Sequence, residues 1–218
     1  MHSKLDKLYF QFKKDSKQVT DPLPVKAVHD LRVVTRRLRS AIWILKQGSK
    51  INVDPRLKQE LQRWTRVLGK RRQIDTLLRN SSQFHLQVAA LKKKQQIANQ
   101  ELVCTLTPKS REQIITHLKS ICHALKSGKK IHQKPVLQKA YERFFPLVDN
   151  WSLNNRALHQ VRVSSKKMRY ILEFFDLPAK PLQHLQSYLG KVHDLQVLKA
   201  TLIEKPHSKP RKSPSINP

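Results

Sequence analysis

The sequence predicts an all-α protein of eight helices in two groups of four, and three observations carry that prediction. Apolar residues recur at helical spacing along almost the whole chain, while the period-two alternation of a half-buried strand is nearly absent. Only 4 glycines occur in 218 residues, so breaks in the pattern are few. Two of the breaks carry helix-start chemistry. Asp54-Pro55 and Thr107-Pro108 each pair an N-cap residue with proline at the first helical position, where a missing N–H costs nothing.

The first helix spans about 4–17 and is broken by Asp21-Pro22-Leu23-Pro24. The second spans about 25–47 and stops at Gly48. Asp54-Pro55 opens the third, which reaches about Asn80, and Ser81-Ser82 opens the fourth, which ends near Cys104. A short link follows near Thr105–Lys109. Thr107-Pro108 opens the fifth, ending by Gly128, and a shorter sixth covers about 134–148. Asn154-Asn155 starts the seventh, stopped by Pro178, and Pro181 starts the eighth, which reaches about Glu204. One helical domain over 1–204 is expected, with its first group at about 4–104 and its second at about 107–204. The Pro-, Ser- and Lys-rich tail, 205–218, is expected to be a disordered basic segment.

Lys and Arg total 44 against 15 Asp and Glu, a net charge of +29. The tail holds four of these cations and no acid, which leaves +25 on residues 1–204. The charge thus belongs to the folded part, where it repels itself. A working form that holds a polyanion accounts for it: nucleic acid, an anionic membrane surface or a phosphate polymer. The longest apolar run, Ala41–Leu45, is too short to span a bilayer, and the N-terminus lacks an apolar signal core. A cytoplasmic location is expected. Cys104 and Cys122 have neither C-x-x-C nor zinc spacing and are expected to be reduced. No Gly-rich phosphate loop is present. Acids are scarce and unclustered, so neither catalysis nor a metal site nor a cofactor is expected.

An internal repeat is the strongest signal. His29-Asp30-Leu31-Arg32-Val33-Val34-Thr35-Arg36-Arg37-Leu38-Arg39 aligns without gaps, at an offset of 130, on His159-Gln160-Val161-Arg162-Val163-Ser164-Ser165-Lys166-Lys167-Met168-Arg169. At 3.6 residues per turn, His29, Arg32, Arg36 and Arg39 fall on one stripe roughly 80° wide. Leu31, Val34, Leu38, Ile42 and Leu45 form the opposite, apolar face. In the second copy His159, Arg162, Lys166 and Arg169 line the stripe, and Val161, Met168, Leu172 and Phe175 the apolar face. Like charges one turn apart repel, so an external anion must compensate them. A merely solvated basic face has no need of the same pattern twice. Each histidine has two readings, an anion donor or a structural ring bonded to a backbone carbonyl. As donors, protonated histidines would strengthen anion binding at mildly acidic pH.

A shorter repeat follows each copy: Leu68-Gly69-Lys70-Arg71-Arg72-Gln73-Ile74-Asp75 and Leu189-Gly190-Lys191-Val192-His193-Asp194-Leu195-Gln196. Glycine inside a helix costs about 1 kcal/mol relative to alanine, and a close helix crossing with no room for a Cβ is the expected compensation. Arg71 and Asp75 stand one turn apart and are expected to form a partly buried ion pair. Asp194 is expected to orient a stripe arginine. Lys70, Arg72, Lys191 and His193 are secondary candidates for anion contact. Lys92–Lys94 and Lys129-Lys130 read as solvated patches.

These paired motifs resemble the CHAD family, the conserved histidine α-helical domain, over about Leu5 to Glu204. The carriers are the doubled His-x-x-Arg-x-x-x-[Arg/Lys]-[Arg/Lys]-[Leu/Met]-Arg helix, the Leu-Gly helix after each, and Arg169-Tyr170. The resemblance implies two four-helix bundles related by pseudo-twofold symmetry, with a basic cavity between them. It implies inorganic polyphosphate as ligand and association with polyphosphate granules. By position, the implied binding residues are His29, Arg32, Arg36, Arg37, Arg39, His159, Arg162, Lys166, Lys167 and Arg169. Gln73 stands where the family usually has Asp, so an orienting role there is lost or passes to Asp75. Nucleic acid is the competing partner. Aromatics make up 6% of the chain and do not interleave with the stripes as a stacking platform would require.

Overall fold

Eight helices follow one another in a computed structural model that describes residues 2–19, 23–81, 88–149 and 154–203. They are α1 (His2–Asp15), α2 (Val25–Gly48), α3 (Pro55–Arg79), α4 (Val88–Thr105), α5 (Pro108–Lys126), α6 (Gln133–Asp149), α7 (Asn155–Phe174) and α8 (Lys180–Ile203). No strand occurs among the described residues. The expected caps are in place. The side chains of Asp54, Thr107 and Asn154 accept from the backbone N–H of Arg56, Ser110 and Ala157. Of the expected start of α4 at Ser81-Ser82, Ser81 is a turn residue after α3, while Ser82 and the expected disordered tail lie outside the described residues.

Five helices form a row, α4-α3-α2-α7-α8, each packed on the next. Helix α2 also carries α1 and α6, and α5 packs on α1 and α3. One continuous apolar core results. It joins Leu5 and Phe12 of α1, Leu31, Leu38 and Leu45 of α2, and Leu61 and Trp64 of α3 to Ile114 and Leu118 of α5, Val136 of α6 and Ile171 of α7. A small satellite cluster, Leu158, Val161 and Leu189, joins α7 to α8. The link at 105–109 therefore does not separate two cores, because α5 packs on α1 and α3, and α6 packs on both α2 and α7. The offset of 130 explains the row: it carries α1 onto α6, α2 onto α7 and α3 onto α8. The repeated helices meet at the centre of the row, with α4 and α5 between the copies in sequence.

Trp64 shows how the halves are stitched together. Its ring is fully buried, 5.3 Å from that of Phe12, and its Nε1–H donates to Ser110 Oγ at 2.8 Å. Ser110 Oγ donates in turn to Glu60 Oε2 at 2.7 Å.

Two expectations about the Leu-Gly helices need correction. A Cβ at Gly69 would meet only Arg32 Nε, at 4.0 Å, and one at Gly190 would meet nothing within 4 Å, so neither glycine marks a crowded helix crossing. The close approach is at Gly48, where a Cβ would come 2.5 Å from Val136 Cγ2 and 2.7 Å from His132 O. The Arg71–Asp75 pair forms, and it is fully rather than partly buried. Arg71 Nε donates to Asn99 Oδ1 and Gln95 Nε2 donates to Asp75 Oδ1, which ties α3 to α4. Asp75 is thus committed to α3 and α4 and does not replace an orienting acid at position 73, where Gln73 is exposed.

Candidate anion site between the repeated helices

The apolar faces of α2 and α7 set the direction of their cations. Leu31, Val34, Leu38, Ile42 and Leu45 are buried on α2, as are Val161, Met168, Leu172 and Phe175 on α7. Thr35 and Ser165, related by the repeat, are fully buried small residues whose hydroxyls donate to the Leu31 and Val161 carbonyls at 2.8 and 2.7 Å. Their small size lets α2 and α7 pack together.

The stripes then face one another. Arg32, Arg36, Arg162, Lys166 and Arg169 are all half-buried. Burial pushes the Lys166 ammonium down to about 7, assisted by the charges of Arg162, Arg36, Arg32 and Arg169. Burial first, then Arg36, Arg72 and Arg162, lowers Arg32 to about 10 against an opposing contribution from Tyr170. Burial also lowers Arg162 and Arg39, with Arg36 adding to each. The contacts respect the repeat: Arg32 acts on Lys166, and Arg36, the partner of Lys166 in the repeat, acts on Arg162.

Four buried polar atoms here lack a hydrogen-bond partner: His29 Nδ1 and the Nε of Arg32, Arg162 and Arg169. Arg169 Nε lies 3.4 Å from Glu173 Oε1 without hydrogen-bond alignment. Leaving such a group unsatisfied costs about 1–3 kcal/mol, and more when it is charged. The nearby acids are few. Exposed Asp194 acts on Arg162 and Arg72, as expected for an orienting acid, and Asp30 is paired with Lys26 at 2.6 Å.

Not every expected residue joins this site. Arg72 does, acting on both His29 and Arg32. Lys70 points to α4 and pairs with Glu101 at 2.7 Å. Lys191 is exposed, and the His193 side chain lies outside the described residues. Arg37 and Lys167 sit off the stripes, toward Glu173 and Trp43 respectively. His159 is exposed. Burial and Arg72 hold His29 below the ordinary imidazole value, which opposes the expected gain of charge at mildly acidic pH. The motif missed Arg79, which acts on His29 and Arg72 from α3. Its position seven residues after Arg72, on the same helix face, was the available signal.

Fold and site together define an all-helical protein in which a repeated His/Arg/Lys helix packs against its own copy. The CHAD domain family matches residues 5–203, and the chain belongs to that family. The crystal structure of the CHAD domain from the plant Ricinus communis is similar, with a TM-score of 0.71 over 93% of this chain and 78% of that one. At 19% identity, that likeness concerns the fold. No curated protein matches the chain.

Proposed function

We propose that the protein is a non-catalytic binder of inorganic polyphosphate, held between the cation stripes of α2 and α7. The observation that carries this reading is the pair of buried, unpartnered donors contributed by both helices, Arg32 Nε from one side and Arg162 Nε from the other. A phosphate chain offers oxygens on all sides and about one negative charge per phosphate, and guanidinium groups recognise such oxygens in pairs. The family resemblance points to the same ligand. A duplex needs an open basic surface, whereas cations that face inward suit a thin chain. Phosphoryl chemistry usually needs acids to hold metal ions, and the stripes carry few. A cytoplasmic protein recruited to polyphosphate granules is the setting this reading implies.

The test is competitive titration with long-chain polyphosphate against duplex DNA and RNA at equal charge concentration, across a salt series. Polyphosphate binding should survive excess nucleic acid and weaken with salt, as counterion release requires. Arg32→Ala with Arg162→Ala should cost about tenfold or more, since each removes a charge-assisted contact. Equal competition by all polyanions, indifferent to those substitutions, would reduce the protein to a generic basic surface.

A further inference from the structure

The two stripes end differently. One turn beyond Arg39 the α2 stripe reaches Trp43, and one turn beyond Arg169 the α7 stripe reaches Glu173. The offset of 130 relates these two positions, and each meets the off-stripe cation of the opposite helix. Glu173 Oε2 lies 3.8 Å from Arg37 Nη2, and Lys167 Nζ lies 4.3 Å from the Trp43 ring centroid. Exchanging the halves therefore exchanges a carboxylate for an indole.

The consequence is electrostatic. At the Glu173 end the cations are already engaged: Arg37 and Arg169 face Glu173, and Lys4 Nζ pairs with Asp176 and donates to the Glu173 carbonyl, both at 2.6 Å. An incoming anion would have to compete with carboxylates there. At the Trp43 end, Lys167 is joined by Arg143, whose Cζ lies 5.6 Å from the same ring centroid. Arg143, Arg39 and Lys58 are near enough to act on Lys167. None of these four cations forms an ion pair with a carboxylate among the described residues. A neutral indole attracts cations through its ring face and leaves their charge available to an anion.

We propose that the Trp43 end of the α2/α7 groove is a second phosphate-binding site, built from Arg143 and Lys167 over the Trp43 ring with Arg39 one turn away, over which a long polyphosphate chain leaves the groove. Three helices contribute, α2, α6 and α7, so the site is fixed by the fold and not by one flexible run. The equivalent exit past Glu173 is the poorer one, because its cations are already shared with Glu173 and Asp176. This inference rests on the polyphosphate reading.

Two exposed single charge reversals test it, Arg143→Glu at the Trp43 end and Lys7→Glu at the Glu173 end, where Lys7 lines a cavity with Lys4, Arg37 and Glu173. Both change the net charge equally, so nonspecific attraction falls equally. Dissociation constants are measured for tripolyphosphate, which the central stripe suffices to hold, and for long-chain polyphosphate. Arg143→Glu should weaken the long chain about tenfold, equivalent to one lost charge-assisted contact, and leave tripolyphosphate within about twofold. Lys7→Glu should leave both within about twofold. Equal losses for the two variants, or a loss of tripolyphosphate binding with Arg143→Glu, would overturn this inference and leave the central site standing. Failure of the unaltered protein to bind either phosphate would overturn both.

Discussion

Lys166 concentrates the electrostatics of the site into one titratable group. It faces Arg32 and Arg36 from α2 and Arg162 and Arg169 on its own helix, while Asp194 of α8 acts on Arg162 and Arg72. Its folded value of about 7 lies below the ordinary 10.5, so the unfolded chain binds more protons between those limits. The ligand-free protein should therefore gain stability as pH rises through that window. Binding runs the other way, since a polyanion favours the ammonium and binding above about pH 7 takes up a proton. Polyphosphate affinity should be level below that pH with respect to Lys166 and fall above it. Calorimetry at pH 8 in buffers of different ionisation enthalpy would count the proton, and zero uptake would contradict the assignment. Lys166→Met should flatten the decline. His29, held low by burial and Arg72, is the weaker candidate for a pH response, the reverse of what its place in the motif suggests.

At the level of helices, glycine separates what the sequence could reveal from what it could not. Gly69 and Gly190 share a motif, which suggested a packing constraint, yet open space surrounds Gly190 and a Cβ at Gly69 would meet only Arg32 Nε, at 4.0 Å. Gly48 lies outside any repeat and looked like an ordinary helix stop, yet it is pressed against Val136 and the His132 carbonyl. Gly190→Ala should accordingly stabilise the protein by about 0.5–1 kcal/mol, whereas Gly48→Ala should destabilise it, both read from urea unfolding midpoints. The existence and order of the helices were legible because caps such as Asp54-Pro55 and apolar periodicity act within a few residues. The opposed stripes were legible because His29-to-Arg39 recurs as His159-to-Arg169. The packing of α5 on α1 and α3, and of α6 across α2 and α7, was not, since apolar faces state that a helix packs and leave open against what. The same limit hid Arg143, a single cation on a separate helix that only tertiary structure brings to Trp43.

Taken whole, the molecule carries +29 on a single shared core, and its stripes stack cations on both sides of the α2/α7 contact. Without an anion, folding brings those charges together and leaves buried guanidinium donors unpaired, so ligand-free stability is held down by repulsion and desolvation. Added salt should then raise the melting temperature of the free protein by screening, although the same salt weakens ligand binding. Polyphosphate should raise it further, because a ligand that binds only the folded state stabilises by about 2.7 kcal/mol at a hundredfold excess over Kd. For a chain of this size that corresponds to roughly 5–11 °C. The two effects should not add: in high salt the polyphosphate increment should shrink toward zero while the salt increment remains. Thermal melts over a grid of salt and polyphosphate concentrations separate them. An increment independent of salt would mean that the charge is not what holds the ligand, and an unchanged melting temperature with polyphosphate at low salt would mean that the folded state gains nothing from binding it.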